Sequence, residues 1–257
     1  MRTLNTNDIR CEFARLLNAK KFTSINREAS MTSIVGKRTI EIVGASFVAD
    51  EETIFGAVNH EYIAREKEWY ESLSRNVNDF PGGAPAIWKA IAAKDGTVNS
   101  NYGNLLFSDE NGRQFDNIVK ELLKNPESRR AVAIYTRPSM WNEYNLDGRS
   151  DFVCTNCVQY LVRDGRVNAV VQMRSNDSTI GYRNDYAWQV DSLKMVAEQL
   201  NLVTGDIVWQ VGSLHVYERD FYLVDHFLGT AEFTVTKKKY CSLYPNSEYN
   251  PLKGENV

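Results

Sequence analysis

Apolar residues recur along this chain with two periods, and the change from one to the other marks out helices and strands. Residues 7–20 place Ile9, Phe13, Leu16 and Leu17 on one helical face, with Asn7 as a candidate cap. Residues 52–74 carry Phe55, Tyr62, Ile63, Trp69 and Tyr70 in an apolar stripe, and residues 115–124 form a second amphipathic stretch ended by Asn125-Pro126. Residues 186–200 return to the helical period, and residues 218–228 read as a further helix. Between these lie β-rich runs at residues 39–48, 131–136, 152–163, 166–174 and 206–211. Asp164-Gly165 separates two of them and is the strongest hairpin signal in the chain. Helices and strands are interspersed without strict βαβ alternation. The pattern therefore predicts an α/β (α+β) fold, a single domain over residues 1–257 with one large mixed sheet flanked by helices.

Composition narrows the function classes. The 257 residues are 43% hydrophobic and 25% charged, enough to build a folded core. A formal charge of −3 supplies no global basic excess, so direct DNA binding is not expected. No apolar run approaches the roughly 20 residues that span a bilayer, and residues 1–15 are too polar for a signal peptide. Four cysteines in a chain of this length make no disulfide framework, which fits a cytoplasmic protein with reduced thiols. The dinucleotide, P-loop and hydrolase-elbow fingerprints are all absent from the sequence.

The hairpin carries the first chemistry. A two-residue turn at Asp164-Gly165 pairs residues that sum to 329, which puts Cys154 opposite Ser175 and beside Arg174, give or take a one-residue bulge. A guanidinium next to a thiol favours the thiolate, the nucleophilic form; the plainer reading is a buried, inert core thiol. Cys154 and Cys157 spell C-x-x-C, but in a strand this spacing points them to opposite faces, and the chain has only three histidines. No metal site is expected.

Other clusters admit both a functional and a bland reading. Arg129 and Arg130, in Ser128-Arg129-Arg130, could clamp a phosphate or be two solvated arginines. Arg174-Ser175-Asn176-Asp177 offers a cation, hydroxyl, amide and carboxylate together, or a polar strand end. Asp185 stands before a helix, where it could cap; His215 and Tyr217 share one face after a strand; Glu66 could be a helix-surface carboxylate; Trp88 could be core.

Taken in order, Ser128-Arg129-Arg130, Cys154, Arg174-Ser175-x-Asp177, Gly181-x-x-Asn184-Asp185 and His215-x-Tyr217 resemble the thymidylate synthase family, over a stretch from about residue 39 to residue 228. The resemblance implies a homodimer of α/β subunits joined through their sheets. It implies that Cys154 attacks C6 of a pyrimidine nucleotide, so that C5 takes the one-carbon unit of the co-substrate 5,10-methylenetetrahydrofolate. It gives Arg174 and Ser175 to the substrate phosphate, and Arg129 and Arg130 to the phosphate of the partner subunit. It gives His215 and Tyr217 to the deoxyribose hydroxyl, Asp177 and Trp88 to the folate, and Glu66 to water and proton transfer near the base.

Asp185 decides the substrate in this resemblance. Thymidylate synthases carry Asn there, which pairs with O4 and N3–H of uracil. A carboxylate instead accepts from the N4 amino group of cytosine and repels O4 of uracil, which points to dCMP. A site built on such bonds can discriminate by about 10⁴ to 10⁵. The chain departs from the family at Val153, where the synthases have Pro, and at Ile91, the place of a second folate-side Trp. Arg27, Lys37 and Arg38 all remain open for a further phosphate-binding cation. Residues 253–257 do not resemble the tail that seals the synthase site, and a looser seal admits water, so hydration of the exocyclic methylene is expected in place of reduction. The alternatives are another family member acting on dUMP or reducing the methylene, a non-catalytic nucleotide- or RNA-binding protein, and a thiol redox protein cycling Cys154 with Cys157.

Overall fold

The computed structural model describes residues 3–24 and 35–252; Arg27 and residues 253–257 lie outside the described residues. Its helices are α1 (Thr6–Asn18), α2 (His60–Glu71), α3 (Ala86–Ile91), α4 (Tyr102–Phe107), α5 (Gln114–Lys124), α6 (Met140–Glu143), α7 (Gly181–Gln199), α8 (Phe221–Thr230) and α9 (Lys237–Leu243). The strands are β1 (Thr23–Ser24), β2 (Arg38–Val48), β3 (Val132–Ile134), β4 (Thr155–Arg163), β5 (Arg166–Asp177) and β6 (Val203–Tyr217). No helix among the described residues is long and apolar enough to cross a membrane.

The six strands hydrogen-bond in the order β1-β2-β6-β5-β4-β3. β1 with β2, β3 with β4, and β4 with β5 are antiparallel. β5 and β6 run parallel, because the Asp206 amide donates to Asn168 near their starts and the Ser178 amide donates to the His215 carbonyl near their ends. β2 lies beside β6, with Glu41 at Ser213, and Arg38 at the start of β2 meets Glu218 just past the end of β6. The sheet is therefore mixed, as the irregular alternation of elements predicts.

The chain separates into two compact units. The first comprises Met1–Val58, Ser175–Tyr186 and Trp209–Val257. In it Ile9, Phe13 and Leu17 of α1 are buried, and Phe13 and Phe227 each meet Phe55 edge-on. The second comprises Asn59–Arg174 and Ala187–Val208. Its centre is aromatic: Tyr70 stacks on Tyr102 and takes Trp188 edge-on at 5.1 Å.

Several element boundaries differ from the sequence reading. Asn5, not Asn7, caps α1, through a reciprocal capping box with Asp8. Residues 52–59 are not helical: Gly56 has φ +80°, and its amide donates to the Phe233 carbonyl outside any helix. Asn59 then caps α2 by accepting from the Tyr62 amide. α7 opens at Gly181, so Asp185 is inside that helix and does not cap it. His215 and Tyr217 belong to β6, which extends well beyond residues 206–211.

The hairpin turn forms as read, with φ +51° at Asp164 and +72° at Gly165, the two positive values of a type I′ turn. Pairing follows the sum of 329 from Arg163↔Arg166 to Cys157↔Gln172, and then a bulge intervenes before Thr155↔Met173. The bulge shifts Cys154 from Ser175 to Arg174, whose amide donates to the Cys154 carbonyl at 2.9 Å. Cys154 thus lies just before β4, where strand alternation with Cys157 no longer applies.

Candidate active site

In the second unit, the thiol of Cys154 is held by what flanks it. Val153 and Thr155 are both fully buried, and Thr155 donates to the Tyr102 hydroxyl at 3.0 Å. Two residues upstream of Val153, buried Asp151 accepts from the amides of Asn99 and Ser100 and from the Ser100 hydroxyl. Nothing in the sequence pattern singled out Asp151, because its partners are about 50 residues away. Between these anchors Cys154 is a free, half-buried cysteine.

Arg174 completes the arrangement. Its Nε donates to the Val153 carbonyl at 3.0 Å, and its Nη2 donates to the Phe152 carbonyl at 2.5 Å. The same Nη2 is 3.5 Å from Sγ of Cys154. A fixed positive charge at that distance favours the anionic sulfur. Cys157 has a different environment: its sulfur faces Gln172, and burial pushes its thiol pKa up, which favours the neutral form. The two cysteines are chemically unequal. Among the described residues no group of three or more His, Cys, Asp or Glu is arranged to hold a metal ion.

Glu66 is not a surface carboxylate. It is buried on α2, where it accepts from the Tyr62 hydroxyl at 2.6 Å and from Trp88 Nε1 at 3.2 Å. Burial raises its pKa to about 7 against the opposing pull of those two hydrogen bonds. A carboxyl titrating there can give or take a proton at neutral pH. Tyr62 was legible only as part of an apolar stripe, although its position four residues before Glu66 is the helical spacing of neighbours. Trp88 is half-buried on α3, its N–H fixed by Tyr62 and Glu66 and its ring edge-on to Trp69.

Arg129 and Arg130 are both exposed. Arg130 pairs with Glu121 at 2.7 Å, and Glu121 also accepts from Ser128.

In the first unit, Ser175 is half-buried near the end of β5. Asn176 follows, 3% exposed; its Nδ2 donates to Asp185 Oδ2 at 2.8 Å, and its Oδ1 accepts from Trp209 Nε1 at 3.3 Å. Asp177 accepts from the Thr179 amide and hydroxyl through Oδ1, and pairs with Arg219 through Oδ2 at 3.1 Å. Arg219 also pairs with Asp220 and lies over the Tyr217 ring. Sequence reasoning missed Arg219, which lies in the 3-10 turn Glu218–Asp220 just past β6, where strand alternation gives no signal. The rings of His215 and Tyr217 meet edge-on with centroids 4.7 Å apart, as a spacing of two on one strand requires. Nδ1 of His215 is 3.3 Å from the Ser213 carbonyl. Arg38 is engaged by Glu218, with 2.8 Å between Nη2 and Oε1.

Comparison with known proteins gives this arrangement a family. The thymidylate synthase family profile matches residues 36–241. The chain is 55% identical over 216 residues to deoxycytidylate 5-hydroxymethyltransferase of Enterobacteria phage T4, covering 81% of this chain and 88% of that protein. It is 56% identical over 212 residues to the protein of the same name from Enterobacteria phage T2, covering 80% and 86%. Thymidylate synthase of Bacillus subtilis subsp. natto is 30% identical over 163 residues, covering 60% of this chain and 56% of that one. The solved structure of thermostable thymidylate synthase A from Bacillus subtilis superposes with a TM-score of 0.63 at 20% identity, covering 88% and 84%, and shares the fold. The chain belongs to the thymidylate synthase family.

Proposed function

We propose that the chain is a deoxycytidylate 5-hydroxymethyltransferase, acting on dCMP and 5,10-methylenetetrahydrofolate. The observation that carries the reading is its 55% identity, over most of both chains, to a protein of that name. The family match passes through residues of both units, and residues 1–257 are read as one catalytic domain.

In this reading the Cys154 thiolate, favoured by Arg174, adds to C6 of the pyrimidine. The C5–C6 double bond becomes a nucleophilic centre at C5, which forms a bond to the one-carbon unit. The C5 proton leaves, tetrahydrofolate departs, and an exocyclic methylene remains. Water adds to that methylene, and the C6–S bond breaks to release 5-hydroxymethyl-dCMP. Glu66, with its pKa near 7, organises the water and moves protons beside the base.

Asp185 reads the N4 amino group. Arg174 and Ser175 take the phosphate, and His215 and Tyr217 take the deoxyribose hydroxyl. The folate is assigned Trp88 and Asp177; Trp88 is half-buried and its N–H is held by Tyr62 and Glu66, which suits an apolar ring face as the contact. A carboxylate accepts about four hydrogen bonds. Among the described residues Asp177 accepts from Thr179 twice and from Arg219 once, fewer than a carboxylate's capacity, which is compatible with a folate contact. A homodimer in which Arg129 and Arg130 reach the partner's phosphate agrees with their exposure.

The test is the mass of the product formed from dCMP and the folate, with Cys154→Ala as control. A hydroxymethyl product without dihydrofolate absorbance supports the reading; a methyl product with dihydrofolate overturns it. Asp185→Asn is expected to move preference toward dUMP, and undiminished dCMP selectivity would overturn the role of Asp185.

A further inference from the structure

The contact between Asn176 and Asp185 has a polarity, and the polarity is fixed from below. Trp209 is fully buried, and an indole N–H can only donate. The atom of Asn176 that faces Trp209 at 3.3 Å must therefore be the amide oxygen. Its NH₂ is then turned to Asp185 and donates to Oδ2 at 2.8 Å. Gly181, at the start of α7, keeps the space beside this bond clear: a Cβ there would be 3.3 Å from Asn176 Nδ2 and 3.8 Å from Asp185 Oδ2. Asn176 itself is 3% exposed, so water does not compete for the amide.

We propose that Asn176, locked by Trp209, is a positioning residue that sets which kind of hydrogen-bonding group position 185 turns toward the base. This rests on the reading of Asp185 as the group that recognises N4 of cytosine. A donor at Asn176 always claims an acceptor from its neighbour. With Asp185 in place, both oxygens are acceptors, so one is held and the carboxylate is aligned. With an amide at position 185, the same donor captures the amide oxygen and turns the NH₂ outward, toward O4 of uracil. The uracil preference expected of Asp185→Asn thus depends on Asn176 as much as on position 185.

The consequence can be inverted. In the double variant Asn176→Asp/Asp185→Asn, the carboxylate at position 176 still accepts from Trp209 but now claims the NH₂ of the amide at position 185. The amide oxygen then turns outward, an acceptor for N4 of cytosine. One carboxylate and one amide have traded places, so the net charge and the number of bonds are unchanged.

The experiment measures kcat/KM for dCMP and dUMP in the wild type, Asp185→Asn and the double variant, with thermal melting to confirm folding. We expect the dCMP/dUMP ratio of the double variant to exceed that of Asp185→Asn by at least about tenfold, since mispaired buried polar groups discriminate strongly. Equal ratios in the two variants would overturn the role of Asn176 while leaving Asp185 as the base reader. If Asp185→Asn itself keeps full dCMP selectivity, the reading of Asp185 falls and this inference falls with it. Should the double variant not fold, Asn176→Ala/Asp185→Asn answers the same question. Without the directing donor, the dUMP preference of Asp185→Asn should shrink by about threefold or more, and an unchanged ratio would overturn the proposal.

Discussion

Arg174 and Cys154 meet as a bonded pair at the open end of the β4–β5 hairpin, main chain to main chain at 2.9 Å and guanidinium to sulfur at 3.5 Å. The hairpin turn alone would have set Ser175 opposite the thiol; the bulge moves the register by one and brings in the cation. Replacing Arg174 with Ala should therefore slow alkylation of Cys154 by iodoacetamide at pH 7 by about tenfold, because less of the sulfur is thiolate. Turnover should fall further, and Cys154→Ala should lower it by on the order of 10³-fold or more. An alkylation rate unchanged in Arg174→Ala would show that the guanidinium does not activate the sulfur.

Glu66 gives the stability a pH dependence of known sign. Its folded-state pKa, about 7, is above the ordinary value of 4.5 because burial penalises the charged form. Its contribution to stability is fully present below about 4.5 and is lost as the pH rises through 7. Relative to wild type, Glu66→Gln should gain stability between pH 5 and pH 8, by on the order of 3 kcal/mol as an upper bound. Melting temperatures of the two proteins across that range check this; parallel curves would count against a raised pKa. The same substitution should remove the neutral-pH ionisation from the kcat profile.

Arg129 and Arg130 are expected to act on the phosphate rather than on the base. Arg129→Ala should raise KM for dCMP by about tenfold and leave the dCMP/dUMP ratio unchanged, since the phosphate is common to both nucleotides. Glu121→Gln frees Arg130 from its 2.7 Å ion pair and should lower KM for dCMP. An Arg129→Ala enzyme whose KM equals the wild type would remove it from the phosphate site.

Gly103, in α4, marks a backbone contact that tolerates no side chain. A Cβ there would be 1.9 Å from the Tyr70 carbonyl oxygen at the end of α2, and neither backbone can yield readily. Gly103→Ala should destabilise the protein by about 3 kcal/mol, read as a lowered midpoint in urea denaturation with little change in slope. A midpoint within error of wild type would show that the two helices can separate.

Much of this architecture is legible in the chain, but unevenly. The turn at Asp164-Gly165 and the pairing from Arg163↔Arg166 inward follow from local sterics. The pairing of the His215 and Tyr217 rings follows from strand alternation. Helix starts were less legible. The apolar stripe from Phe55 suggests a helix beginning near residue 52, yet Gly56 bonds to Phe233, about 180 residues further on. The character of Glu66 was the least legible: a carboxylate between Arg65 and Lys67 looks solvated, and only the packing of α2 and Trp88 buries it.

The sequence by itself determined the longer helices and strands, though not the short helices at Ala86–Ile91, Tyr102–Phe107, Met140–Glu143 and Lys237–Leu243, and it determined the hairpin, the family and the residue types available for the chemistry. These are written in short-range periods, turn preferences and motif spacings, each readable within a few residues. The tertiary structure alone decided the bulge that puts Arg174 rather than Ser175 directly opposite Cys154, the burial that brings Glu66 to a pKa of about 7, and the direction in which Asn176 presents its amide to Asp185. Those depend on desolvation and on hydrogen-bond partners distant in sequence, such as Trp209 for Asn176, and no local pattern records where such partners will meet.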